Sequence, residues 1–97
     1  MIHEDERRIL EDFAEGKILI LKKDAVVGHH YHAIKTEIFY LVKGSGTMIL
    51  DGIVNNIHLN EPILIKPLTK HEFNLTAGSV LLGFCSHLYN PEDDIKY

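Results

Sequence analysis

The chain has 97 residues, a mass of 11.1 kDa and a net charge of −4. Its 45 % hydrophobic and 25 % charged residues exclude disordered, fibrous and membrane-spanning classes, and the scattered Lys and Arg leave no footprint for nucleic acid. Residues 1–97 are the size of one small domain, near the limit where a single core gives only modest stability, so a homodimer is expected.

From the amino terminus, Ile2, Ile9, Leu10 and Phe13 recur at roughly helical spacing among charged residues, with Gly16 where a helix would end. This predicts a short amphipathic helix over residues 3–15. From Lys17 the period changes to short runs of β-branched, aromatic and aliphatic residues broken by turn signals. Strands are predicted at residues 17–23, 25–33, 36–43, 47–50, 53–59, 63–66, 71–75 and 79–86. Asp51-Gly52 between apolar runs predicts a tight hairpin, and Pro67 to Lys70 and Thr76 to Gly78 mark further turns. Many short strands in so small a domain predict an all-β sandwich or jelly-roll barrel over residues 17–86. The tail, residues 87–97, is acidic and reads as irregular.

Cys85 is the chain's one cysteine and follows an apolar run, so it reads as a small buried thiol in a reducing compartment. The first eight residues contain no apolar leader, and no apolar run approaches the ~20 residues of a membrane span. A cytoplasmic location is expected.

His30 and His32 are two apart, so on a strand both imidazoles face one way. Glu37 follows on the next strand and His71 opens a later one. Three imidazoles and a carboxylate suit a divalent transition metal: iron, manganese, nickel, cobalt or zinc. An octahedral ion would keep two positions open, whereas a tetrahedral zinc would be closed by the same donors. Alternation turns His29 and Tyr31 away from this face, and places Phe39 and Leu41 with Glu37, and Phe73 and Leu75 with His71. Phe39 and Phe73 are therefore expected to wall the cavity beside the ion. Lys35 reads as a solvated turn residue. His58 and His87 read as structural, and Tyr89 and Tyr97 bracket the tail.

Gly28, His30-x-His32, Glu37 and Gly44 resemble the first motif of the cupin superfamily, and Pro67, His71 and Asn74 resemble the second. Asp24 and Leu68 stand where that family usually has glycine, and Asn74 comes one residue early. The resemblance implies a small double-stranded β-helix, or cupin barrel, with His30, His32, Glu37 and His71 as metal ligands. Such barrels host unrelated activities. Residues 28–46 and 86–97 look similar to small cupins of polysaccharide and nucleotide-sugar pathways, which implies a metal-dependent isomerase or epimerase acting on a sugar or nucleotide sugar. The ligand set also suits a non-heme iron dioxygenase, and the small size suits a non-catalytic binding module. In each case the partner is a small molecule.

Overall fold

The computed structural model describes residues 2–13, 15–87 and 90–97. The strands are β1 (Ile2–Glu4), β2 (Arg8–Phe13), β3 (Gly16–Leu21), β4 (Ala25–Tyr31), β5 (Glu37–Lys43), β6 (Gly46–Leu50), β7 (Ile53–Asn56), β8 (Ile63–Ile65), β9 (His71–Leu75), β10 (Val80–Cys85) and β11 (Ile95–Lys96). They form a six-stranded sheet in the order β1-β2-β3-β10-β5-β8 and a five-stranded sheet in the order β11-β4-β9-β6-β7. All the pairings are antiparallel. Asp51 and Gly52 both have positive φ and join β6 to β7, as the hairpin reading requires. Among the described residues no helix is long and apolar enough to cross a membrane.

The expected helix over residues 3–15 is instead a hairpin. β1 pairs with β2, and β2 pairs along its length with β3. Local and long-range causes agree. The Asp5 carboxylate accepts the backbone N–H groups of Arg7 and Arg8 at 2.7 and 3.0 Å, and Asp5 N–H donates to the Arg8 carbonyl at 3.0 Å. Asp5 thus builds a turn where a helix would have run. A helix of this length is marginal alone, whereas β3 offers an edge with unpaired backbone groups. The ladder wins, and the apolar positions acquire a period of two.

The interior is layered along the strands. On β5 the inward residues are Glu37, Phe39 and Leu41; on β9 they are His71, Phe73 and Leu75, all buried. Lys17, Leu19 and Leu21 follow the same gradient on β3. One end of the sandwich is therefore polar, the middle is aromatic, and the far end is aliphatic, with Leu21, Leu41, Leu75 and Leu81 almost wholly enclosed. Gly83 belongs to the aromatic layer. A Cβ there would meet the Phe39 ring at 2.6 Å, so only glycine lets that ring lie flat on β10.

Candidate metal centre

The polar end gathers His30, His32, Glu37 and His71, whose donor atoms all lie within 4.8 Å of one another. β4 delivers the first two by a device that strict alternation does not contain. Val27 pairs with Phe73 and His30 with His71, leaving His29 as an extra residue between them. Gly28 and His29 take positive φ values of 94° and 60° to form this bulge. The bulge reverses the parity of the strand. Val27 faces the core below it, and His30 faces the same side above it. His29 and Tyr31 turn away, and His29 stacks on Tyr97 with ring centroids 4.1 Å apart.

Two of the histidines are held from behind, and the third has a carboxylate beside it. His32 Nδ1 donates to the Asp93 carbonyl at 2.7 Å, and His71 Nδ1 donates to the Thr69 carbonyl at 3.1 Å. His30 Nδ1 lies 3.2 Å from Asp94 Oδ1. A carbonyl only accepts, so the proton of His32 and of His71 sits on Nδ1, and Nε2 presents a lone pair to the centre. His32 Nε2 is 3.0 Å and His71 Nε2 3.5 Å from Glu37 Oε1. All three of these buried atoms lack a hydrogen-bond partner. Lone pairs that converge without a donor repel one another and cost several kcal/mol by desolvation.

A cation relieves both problems, and the spacing fits one. Donors at ~2.1 Å from a common ion stand about 3.0 Å apart in cis positions and about 4.2 Å apart in trans. The observed spread of 4.8 Å needs an inward shift of only a few tenths of an ångström. The residues present therefore suit an ion bound by three imidazole nitrogens and one carboxylate oxygen.

Glu37 is fully buried and divides its oxygens between two tasks. Oε1 faces the histidines, while Oε2 lies 3.1 Å from Lys17 Nζ, 4.0 Å from Lys35 Nζ and 3.7 Å from Cys85 Sγ, whose thiol donates to it. Burial opposes its ionisation, but the ammonium groups of Lys17 and Lys35 beside it hold the carboxyl far below the usual carboxylate range. Burial likewise works against charge on Lys17, and Glu37 overcomes it, so the ammonium is raised above its ordinary value. Burial pushes His71 down and His30 down to about 4, with the neighbouring His71 adding to the effect on His30. Imidazoles that resist protonation are competent ligands at neutral pH.

Lys35 is not the solvated turn residue that sequence suggested. It is 7 % exposed, because its loop is folded over the site by the tail. Asp93 accepts the backbone N–H groups of Ala33, Ile34 and Lys35 at 2.8, 2.9 and 3.2 Å. The tail, expected to be irregular, forms a 3-10 turn at Pro91–Asp93 and then pairs as β11 with β4. Of the aromatic pair expected to bracket it, Tyr97 packs on His29, and Tyr89 lies outside the described residues.

Above the four donors opens a cavity of about 900 Å³ whose walls include Lys17, Phe39, Phe73 and Cys85. Phe39 and Phe73 meet edge to face at 5.1 Å, forming its floor beside the ion site. His87 reaches the wall with Nδ1 2.8 Å from Ser86 Oγ, whereas His58 is an exposed loop residue away from it. Sequence reading missed Lys17, Asp93 and Asp94. The signal for Lys17 was available: it lies in phase with Leu19 and Leu21, an inward position where a lysine needs a partner. Asp93 and Asp94 act from more than fifty residues away, and nothing local announces them.

The family described as "FdtA: WxcM-like, C-terminal" matches residues 17–97. No curated protein matches the chain. Among solved structures, the capsular polysaccharide assembling protein CapF from Staphylococcus aureus superposes with a TM-score of 0.83 at 19 % identity, covering 99 % of this chain and 33 % of CapF. KdgF from Halomonas sp. gives 0.80 at 15 % identity, with 95 % of this chain and 91 % of KdgF covered. Pac13, described as a nucleoside dehydratase, gives 0.70 at 12 % identity over 100 % of this chain and 85 % of its own; the Streptomyces protein has also been solved with uridine. At these identities the likeness establishes the fold, which is that of the cupins. The chain spans about a third of the length of CapF.

Proposed function

This chain belongs to the WxcM-like, C-terminal family, and from that premise we propose that it is a metal-dependent isomerase or epimerase of a sugar or nucleotide sugar. The observation that carries the reading is the convergence of His32 Nε2, His71 Nε2 and Glu37 Oε1, buried and without partners, beneath an open cavity. His30, His32, Glu37 and His71 would hold a divalent transition ion, which supplies Lewis-acid polarisation of a carbonyl or hydroxyl. The size of the cavity, about 900 Å³, lies at the upper end of small-molecule sites. It suits a glycosyl nucleotide better than a small thiol or diketone. CapF and the uridine complex of the Streptomyces protein support the same substrate class.

The chain's own residues then divide the work. Phe39 and Phe73 offer an apolar floor for the carbon face of a sugar ring. The Lys17 ammonium holds Glu37 Oε2, which keeps Oε1 aimed at the centre. His87, with Nδ1 tied to Ser86 Oγ, lines the cavity and would take and return a proton at the substrate carbon through Nε2. Asp93 fixes the loop that carries Lys35 over the site.

Metal analysis of protein purified without added metal, followed by isomerisation assays on sugars and nucleotide sugars, tests this reading. The expected result is one divalent ion per chain, chelator-sensitive isomerisation, and loss of both in the His30→Ala/His71→Ala variant. Full metal occupancy in that variant, or oxygen uptake in place of isomerisation, would overturn it.

A further inference from the structure

A regular strand that turns Val27 inward also turns His29 and Tyr31 inward, and sends His30 and His32 to the outer face. On β4 the bulge prevents this by giving Gly28 and His29 successive positive φ values of 94° and 60°. Glycine takes such a value freely, whereas His29 carries a Cβ and stays there only where its surroundings over-determine it. Those surroundings come from the tail. β11 pairs with β4 immediately beyond the bulge, Ile95 with Tyr31 and Lys96 with His30. The Tyr97 ring then lies on His29, with centroids 4.1 Å apart and planes at 23°, and Lys70 Nζ stands 5.3 Å from the centroid of the same ring. Glu72, which alternates outward between His71 and Phe73, shares a shallow outer pocket with Tyr97 and Lys70. The ring therefore sits on the outside of the five-stranded sheet, behind the metal centre.

We propose that Tyr97 is a positioning residue of the metal centre, a clamp that holds His30 and His71 at coordinating geometry through the residues that precede them. His29 and Lys70 are the chain neighbours of His30 and His71, and those two histidines pair across the ladder. One ring thus restrains both strands at the level where they deliver their ligands. Stacking fixes the plane of His29 and with it the bulge, and the cation over the ring ties down the start of β9. The same tail acts from the inner side, where the Asp93 carbonyl accepts from His32 Nδ1 and Asp94 lies beside His30 Nδ1. β4 is therefore gripped from both faces by one short segment. The ring contacts of Tyr97 are with His29, Tyr31 and Lys70, none of them a donor, so its effect on an ion travels through the backbone. The proposal rests on the metal reading of the four donors and is independent of the reaction assigned to them.

Titration of the metal-free chain with Co²⁺, followed by calorimetry and by the visible absorption that reports donor number and geometry, tests this. Tyr97→Ala is expected to weaken Co²⁺ binding about tenfold or more and to change the visible bands. Tyr97→Phe keeps the ring and is expected to bind within about twofold of wild type. Leu41→Ala, destabilised at the far end of the barrel, is expected to keep the wild-type affinity and spectrum, which separates positioning from stability. In a His29→Ala background the stack is already gone, so Tyr97→Ala is expected to cost less than about threefold more. Wild-type affinity and spectrum in Tyr97→Ala, or an equal loss in Leu41→Ala, would overturn the clamp and leave the metal centre standing. A wild type that binds no Co²⁺ would overturn both. If Tyr97→Ala fails to fold, hydrogen exchange on wild type takes its place. Because linkage is reciprocal, Co²⁺ is then expected to protect residues 29–31 and 95–97 together, and exchange at 95–97 that ignores the ion would overturn the proposal.

Discussion

The two ends of the interior are built from the same strands by opposite rules. At the aliphatic end Leu21, Leu41, Leu75 and Leu81 fill space, and the buried hydroxyl of Ser79 is paired with the Thr76 hydroxyl and the Ser45 carbonyl. At the polar end the same strands bring together atoms that repel one another and that a cation would join. Stability is therefore generated at one end and spent at the other, and the division is visible along a single strand, from Glu37 through Phe39 to Leu41.

Three perturbations probe that division, in descending size. Leu41→Ala removes a fully buried side chain and is expected to destabilise by roughly 3–4 kcal/mol through lost burial and a cavity. Denaturant titration should give the same loss with metal and with chelator, because the ends are independent; a loss confined to the metal-bound form would break the comparison. A smaller effect comes from pH in the metal-free protein. His30 titrates at about 4 when folded and near 6.5 when unfolded. Between those values the unfolded chain binds a proton that the folded chain does not, so stability falls as pH drops from 6.5 to 4 and His30 causes no further loss below it. The difference is worth about 3 kcal/mol, read as a midpoint shift that His30→Ala reduces, the remainder coming from His71, which burial also pushes down. Last, Asp94→Asn should weaken metal binding about tenfold, roughly 1.4 kcal/mol, because the carboxylate charge beside His30 Nδ1 is lost. Calorimetric titration checks it, with Leu41→Ala as the variant whose affinity stays unchanged.

The barrel and the site differ in how far sequence announces them. Alternation in Thr36 to Lys43 and His71 to Leu75 gave the inward faces directly, since each strand is buried on one side and regular. On β4 the parity changes at Gly28 and His29. The histidines were still assigned together, because both lie beyond the change, but Val27 then falls on the wrong side. At the amino terminus the apolar spacing fitted a helix, and only the Asp5 turn and the waiting edge of β3 decide otherwise. Lys35, Asp93 and Asp94 show a different limit. Their burial comes from a tail that crosses the site after the whole barrel has been built, and no periodicity encodes such a contact.

The chain turns over the polar end at residues 32–36 and 66–70 and again in the tail, and it turns over the aliphatic end at residues 22–24, 44–45 and 76–79. These two sets share no residue. A lineage of such proteins can rewrite one rim, by drift or by insertion, while inheriting the other unchanged, and so exchange one substrate for another without putting its folding at risk.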